Sequence, residues 1–154
     1  MIEQLNLKGP TPSPEVIEAV RALSRLSRIV ERASDQLSGA DYRVMAAIVG
    51  GEARASRLAS RLALGKPAIS STVDSLSKRG LVVKSEVEGD NRAIALSLSD
   101  EGAELFHSME ARMARQFELL AERTPNGGQV IESINWLGDA IEASMVAHSR
   151  EVQA

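Results

Sequence analysis

The 154-residue sequence predicts a mostly α-helical chain with one small β-hairpin. Three observations predict it. Apolar residues recur at helical spacing over most of the chain. They switch to strict alternation once, where Ile94, Leu96 and Leu98 alternate with Ala93, Ala95, Ser97 and Ser99. Aromatic residues are only 3% of the chain, so the core must be built from Leu, Ile, Val, Ala and Met, a set that suits helices packing on helices. A chain of this length can bury about two-thirds of the surface that it exposes when unfolded.

The elements follow in order. Residues 1–12, punctuated by Gly9, Pro10 and Pro12, read as a loose arm. Ser13 then offers a capping hydroxyl, and Pro14 fits the first helical turn, where its missing N–H costs nothing. Val16, Val20, Leu23, Ile29, Val30, Ala33 and Leu37 carry a first helix over 14–36, with Arg21, Arg25, Arg28 and Arg32 interleaved. Ser38 can cap a second helix that runs to Val49, with Tyr42, Met45, Ala46 and either Ile48 or Val49 inward, and Gly50-Gly51 ends it. A third helix over 55–64 has Leu58, Ala59 and Leu62 as its stripe. After the break at Leu64-Gly65, a fourth helix covers 66–79 and stops at Gly80.

Leu81-Val82-Val83 then reads as a short strand, 86–91 as a polar turn containing Gly89, and 93–99 as the returning strand. Ser99 can cap a fifth helix, with Asp100 and Glu101 well placed in its first turn. Leu105, Phe106, Met109, Met113, Phe117 and Leu120 extend it to about residue 123. Residues 125–128 form a linker, and a last helix over 129–149 carries Ile131, Ile134, Leu137, Ile141 and Met145. The expected domains are the arm at 1–12, a first outer helix at 13–36, a central domain at 37–99 and two outer helices at 100–154.

The central order of helix, short turn, helix and hairpin is that of a winged helix-turn-helix. The net charge of −3 argues weakly against a nucleic-acid partner, but its distribution argues the other way. Between Ala53 and Ser85 seven basic residues face the single acid Asp74, a net +6, which leaves eleven basic and twenty acidic residues, a net −9, elsewhere. A local basic face is what a phosphate backbone responds to. In the fourth helix Ile69, Val73 and Leu76 form one narrow apolar stripe. The opposite arc holds Pro67, Ser71, Asp74, Ser75 and Lys78, with Ser70 at its margin, all small or polar enough for a major groove to accept. Gly65-Lys66-Pro67-Ala68 opens the helix, where free N–H groups, the helix dipole and the Lys66 charge favour a phosphate. In the turn, Arg92 can enter a minor groove, and Asp90 can hold its guanidinium. Glu86 and Glu88 beside it count against DNA contact unless they point away.

The stretch from Leu37 to Leu105 resembles the MarR family of bacterial transcription regulators. The residues that carry the resemblance are Arg57-Leu58-Ala59-Ser60-Arg61-Leu62, then Lys66-Pro67-Ala68-Ile69-Ser70-Ser71-Thr72-Val73-Asp74-Ser75-Leu76, then Lys78-Arg79-Gly80-Leu81-Val82. The wing Asp90-Asn91-Arg92 and the exit Leu96-Ser97-Leu98-Ser99-Asp100-Glu101-Gly102 complete it. The resemblance implies a homodimer formed by the first and last helices. It implies a recognition helix in the major groove, with Arg92 in the minor groove. It also implies a small-molecule effector site between the outer helices and the DNA-binding lobe. The expected DNA-binding residues are Arg54, Ser56, Lys66, Pro67, Ala68, Ser70, Ser71, Ser75, Lys78, Asp90 and Arg92. One departure matters: where many relatives carry arginines on the groove-facing arc, this chain has Ser71 and Ser75.

The expected function is therefore a double-stranded-DNA-binding transcription regulator, a repressor released by an effector, acting on a near-palindromic operator. The alternative is a winged-helix protein-interaction module without DNA binding, motivated by the mild serine face. No cysteine is present, which excludes a disulfide framework and thiol redox chemistry. His107 and His148 fall in different helices with no ligating partners in view, so no metal or cofactor is expected. No catalytic constellation is legible, so no enzymatic activity is expected. No apolar run long enough for a signal peptide or membrane span is present, and the expected location is cytoplasmic.

Overall fold

The computed structural model describes residues 10–33, 35–51, 54, 57–58, 62, 65–87 and 90–151, leaving aside the side chains of 90–92 and 145–151. Among these residues the chain forms helices α1 (Pro14–Glu31) and α2 (Gly39–Val49), a further helix α3 (Lys66–Lys78), strands β1 (Val82–Val87) and β2 (Asp90–Leu98), and helices α4 (Asp100–Ala121) and α5 (Gly127–Glu151). The fold class is as expected, mostly helical with one antiparallel hairpin. The expected third helix lies largely outside the described residues, although Arg57 and Leu58 are helical. The chain divides into two compact units, Ala33–Met113 on the one hand and Met1–Arg32 with Ala114–Ala154 on the other.

The first of these, the winged-helix unit, owns a closed apolar core. Val44, Met45 and Ile48 from α2, Leu58, and Ile69, Val73 and Leu76 from α3 are buried together with Leu81, Val82, Leu96, Phe106 and Met109. Of the two candidates in α2, Ile48 turns inward and Val49 outward. Ser38 begins α2 with a full capping box: its hydroxyl accepts from the Asp41 N–H, and Asp41 accepts from the Ser38 N–H. Helix α3 ends in a Schellman motif, in which Gly80 takes φ +75° and Leu81 N–H reaches back to the Leu76 carbonyl at 2.9 Å. That turn delivers the chain directly into β1.

The hairpin is longer than expected. The predicted strand of three residues continues to Val87, and β2 already begins at Asp90. Val82 pairs with Leu98 and Glu86 with Ile94, but the register then slips so that Val87 faces Asp90. The surplus residues of β2, Asn91 to Ala93, sit in that slip, as in a bulge. Backbone pairing between the two strands is available to polar residues as readily as to apolar ones, which is why side-chain polarity alone underestimated the strands. Arg54 adds an isolated antiparallel bridge to Ala95.

The junction into α4 is tight. Ser99 caps α4 through the Gly102 N–H at 3.0 Å, while its own hydroxyl donates to the Gly80 carbonyl at 2.6 Å. Gly102 lies so close to Leu81 that a Cβ there would be 2.0 Å from the Leu81 carbonyl oxygen. The end of α3, the exit of the wing and the start of α4 are thus one locked joint.

In the other unit, α1 buries no residue. It ends at Glu31, five residues short of the expected Gln36. The reason lies beyond its own periodicity: Leu37 is drawn into the winged-helix core, and the Gln36 carbonyl accepts a hydrogen bond from Arg79 instead of a helical N–H. Ser13 stands at the N-cap, but its hydroxyl makes no capping bond and engages the Glu15 carboxylate instead, holding that carboxyl below its usual range. Helix α5 starts at Gly127, two residues before the expected boundary, and packs so closely on the Ala121 carbonyl that a Cβ would lie 2.6 Å from it.

Candidate nucleic-acid interface

Helix α3 is anchored by Ile69, Val73 and Leu76, and this stripe decides which residues face outward. Lys66, Pro67, Ala68, Ser70, Ser71, Asp74, Ser75 and Lys78 are all exposed, as the periodicity requires. No side chain caps the N-terminus: Gly65 occupies the N-cap, and Pro67 removes one donor. The first turn therefore presents backbone N–H groups and the Lys66 ammonium together, the combination that receives phosphate. With 13 residues, α3 is about 20 Å long, comparable with the depth and width of a major groove taken together.

The acid on this face is not free. Asp74 Oδ1 is held by Lys84 Nζ, reaching across from β1. The hydrogen bond and charge of Lys84, with a smaller contribution from Lys78, hold the Asp74 carboxyl below its usual range. The pair fastens the wing to α3 and offsets the negative charge on the outward face of that helix. Lys84 was part of the +6 window but had no role assigned, because its partner lies ten positions away in another type of element.

The remaining sequence-derived candidates divide in three. Arg54 is exposed, and its backbone joins the edge of the hairpin at Ala95. Ser56 lies outside the described residues. Asp90 and Arg92 are placed in β2 by their backbone, at and beside the register slip, whereas the contact expected between them involves side chains outside the described set. His107 is exposed beside Glu110 at 3.9 Å, and the His148 side chain also lies outside the described set.

This unit has known relatives. The MarR family model matches residues 35–93, from the turn before α2 into the wing. Over these residues the chain is similar to the MarR family. It is similar to the HTH-type transcriptional regulator PecS of Dickeya dadantii, 25% identical over an alignment of 117 positions that covers 70% of each chain. Its fold is shared with the PcaV transcriptional regulator of Streptomyces coelicolor, solved with its natural ligand, at a TM-score of 0.63 and 22% identity over 86% of this chain and 99% of that one. It is shared equally with the M. tuberculosis transcriptional regulator MOSR, solved with DNA, at a TM-score of 0.59 and 19% identity over 86% and 98% of the two chains. Among the described residues no helix is long and apolar enough to cross a membrane.

Proposed function

We propose that this chain is a regulator of the MarR type, a homodimeric, cytoplasmic repressor that binds a near-palindromic DNA operator and is released by a small-molecule effector. The observation that carries the DNA half of this reading is the outward face of α3, where Lys66 and Lys78 bracket Ser70, Ser71 and Ser75 above an uncapped N-terminus. In this reading Lys66, Pro67 and Ala68 meet a phosphate, and Ser70, Ser71 and Ser75 face base edges. Lys78, Arg54 and Ser56 bear on the backbone, and Arg92, steadied by Asp90, enters the minor groove. Serine hydroxyls discriminate bases less sharply than a bidentate arginine, so groove shape carries more of the preference.

The apolar residues left exposed on α1 and α5, among them Val20, Leu23, Trp136 and Ile141, support a second copy as the partner of those helices. Two recognition helices one turn of DNA apart then imply half-sites about 10 base pairs apart, centre to centre. The effector rests on analogy with PcaV, which binds a natural ligand. An effector acts only by binding better to a dimer whose helix spacing does not fit the operator.

Titration of duplex DNA from upstream of its own gene, at rising salt, tests the reading. Binding that weakens steeply with salt and is reduced by Arg92→Ala is expected. A protein that ignores the duplex at every salt concentration is instead the interaction module that the mild serine face first suggested.

A further inference from the structure

We infer that Arg79 is a positioning residue that sets the placement of α3 on DNA, and with it the operator preference, without touching DNA itself. The inference rests on the DNA-binding reading above. Arg79 caps the C-terminus of α3, one residue after Lys78 and a third of a turn around the helix from it. Its side chain is 38% exposed, yet its guanidinium bonds back to the protein. Nη1 donates to Asp41 Oδ2 at 3.3 Å, and Nη2 donates to the Gln36 carbonyl at 2.6 Å.

The Asp41 acceptor is held in place. Asp41 is the one buried charged residue among the described side chains, and its carboxylate already accepts from the Ser38 N–H at 2.9 Å in the capping box of α2. The fork thus ties the end of the recognition helix to the backbone of a turn some forty residues earlier. The apolar stripe of Ile69, Val73 and Leu76 holds α3 against the core, but apolar burial is non-directional and resists sliding and rotation weakly. A planar guanidinium with two charge-assisted bonds is directional and specifies both.

Tight placement matters more here than in a helix that reads with long side chains. Ser70, Ser71 and Ser75 have little reach, so a displacement of about 0.5 Å removes a serine–base hydrogen bond that a flexible arginine would recover.

The test begins with a duplex selected by the wild-type protein from a random pool. Affinities for that duplex and for a scrambled one are then measured across salt for the wild type, Arg79→Gln, Arg79→Lys, Asp41→Asn and Lys78→Gln. Arg79→Gln is expected to lower the selected-to-scrambled ratio about tenfold, the scale of one charge-assisted hydrogen bond, with the salt slope unchanged. Arg79→Lys restores charge but not the fork and should recover little of the ratio, and Asp41→Asn should move it in the same direction. Lys78→Gln should weaken both duplexes alike and reduce the salt slope by about one. If Arg79→Gln does not fold, Arg79→Lys and Asp41→Asn carry the measurement. The inference is overturned by an unchanged ratio, by full rescue with lysine, or by a loss shared equally between duplexes with a reduced slope, which would make Arg79 a phosphate contact. A wild type that selects no duplex overturns the DNA-binding reading itself, and the role of Arg79 with it.

Discussion

The two compact units treat their apolar residues in opposite ways. The winged-helix unit gathers Val44, Met45, Leu58, Leu76, Phe106 and Met109 into a core from which water is excluded. Tyr42 stacks on Phe106 at 5.5 Å between ring centroids, and no described buried side-chain polar atom is left without a hydrogen-bond partner. In the outer unit α1 has an apolar stripe of equal regularity, yet Val20 remains 61% exposed and Ile141 on α5 60% exposed. Helical amphipathicity is therefore common to both and distinguishes neither. What differs is whether the chain itself supplies the opposing surface. A domain that carries its own core keeps its recognition face fixed, whereas helices with uncovered stripes depend on something else to bury them.

The largest effect that can sharpen this contrast is in the core. Leu76→Ala should cost about 2–5 kcal/mol in chemical denaturation, at any protein concentration. Val20→Asp, by contrast, should leave the winged-helix unit folded but convert a dimer to monomers in sedimentation. A dimer unaffected by that change would remove α1 from the interface and break the comparison.

Next comes a pair of glycines. Gly102→Ala forces a methyl against the Leu81 carbonyl in the locked joint and should destabilise by about 3 kcal/mol. Gly128→Ala in α5 meets nothing within 4 Å and should stabilise by about 0.5–1 kcal/mol, as alanine does in a helix. Thermal unfolding of the two variants reads both signs.

Smaller in free energy but direct for function, Lys66→Ala and Lys78→Ala should each lower the slope of log affinity against log salt by about one, without loss of stability.

The smallest effect belongs to Asp74. Lys84 lowers its carboxyl from the ordinary value, so the folded state prefers the charged form more than the unfolded state does. The stabilisation is complete above the ordinary aspartate range and is lost as pH falls through the depressed value. Asp74→Asn should therefore lower stability slightly at neutral pH, a small loss because the pair is exposed, and hardly at all in acid, which flattens the acid limb. Denaturation at pH 3 and pH 6 checks it.

Much of this was legible in residue order. Ser38 and Ser99 as caps, Gly80 as a helix stop, and the apolar stripe that turns Ser71 and Ser75 outward all follow from spacings of two to four residues. The strand limits were read too narrowly, because polar residues extend a hairpin once its first pairs are formed. The bonds that join distant segments were not legible at all. Arg79 with Asp41, Lys84 with Asp74, Arg54 with Ala95 and Gly102 against Leu81 each link positions that no local rule connects. The early end of α1 belongs with them, because the demand of the core for Leu37 overrode a continuing helical period.

The sequence by itself determined the fold class, the order of elements and the outward face of α3, since these depend on periodicity and capping among near neighbours. Only the tertiary structure decided how the basic charges are used. Lys66 and Lys78 remain outward, Lys84 neutralises Asp74, and Arg79 bonds back to Asp41 and the Gln36 carbonyl. In the sequence Lys66 and Lys78 already stand on the outward arc of α3, whereas Arg79 and Lys84 are undifferentiated cations of the same basic window. Their roles separate because packing brings a carboxylate or carbonyl within bonding distance of two of them and leaves the other two facing outward.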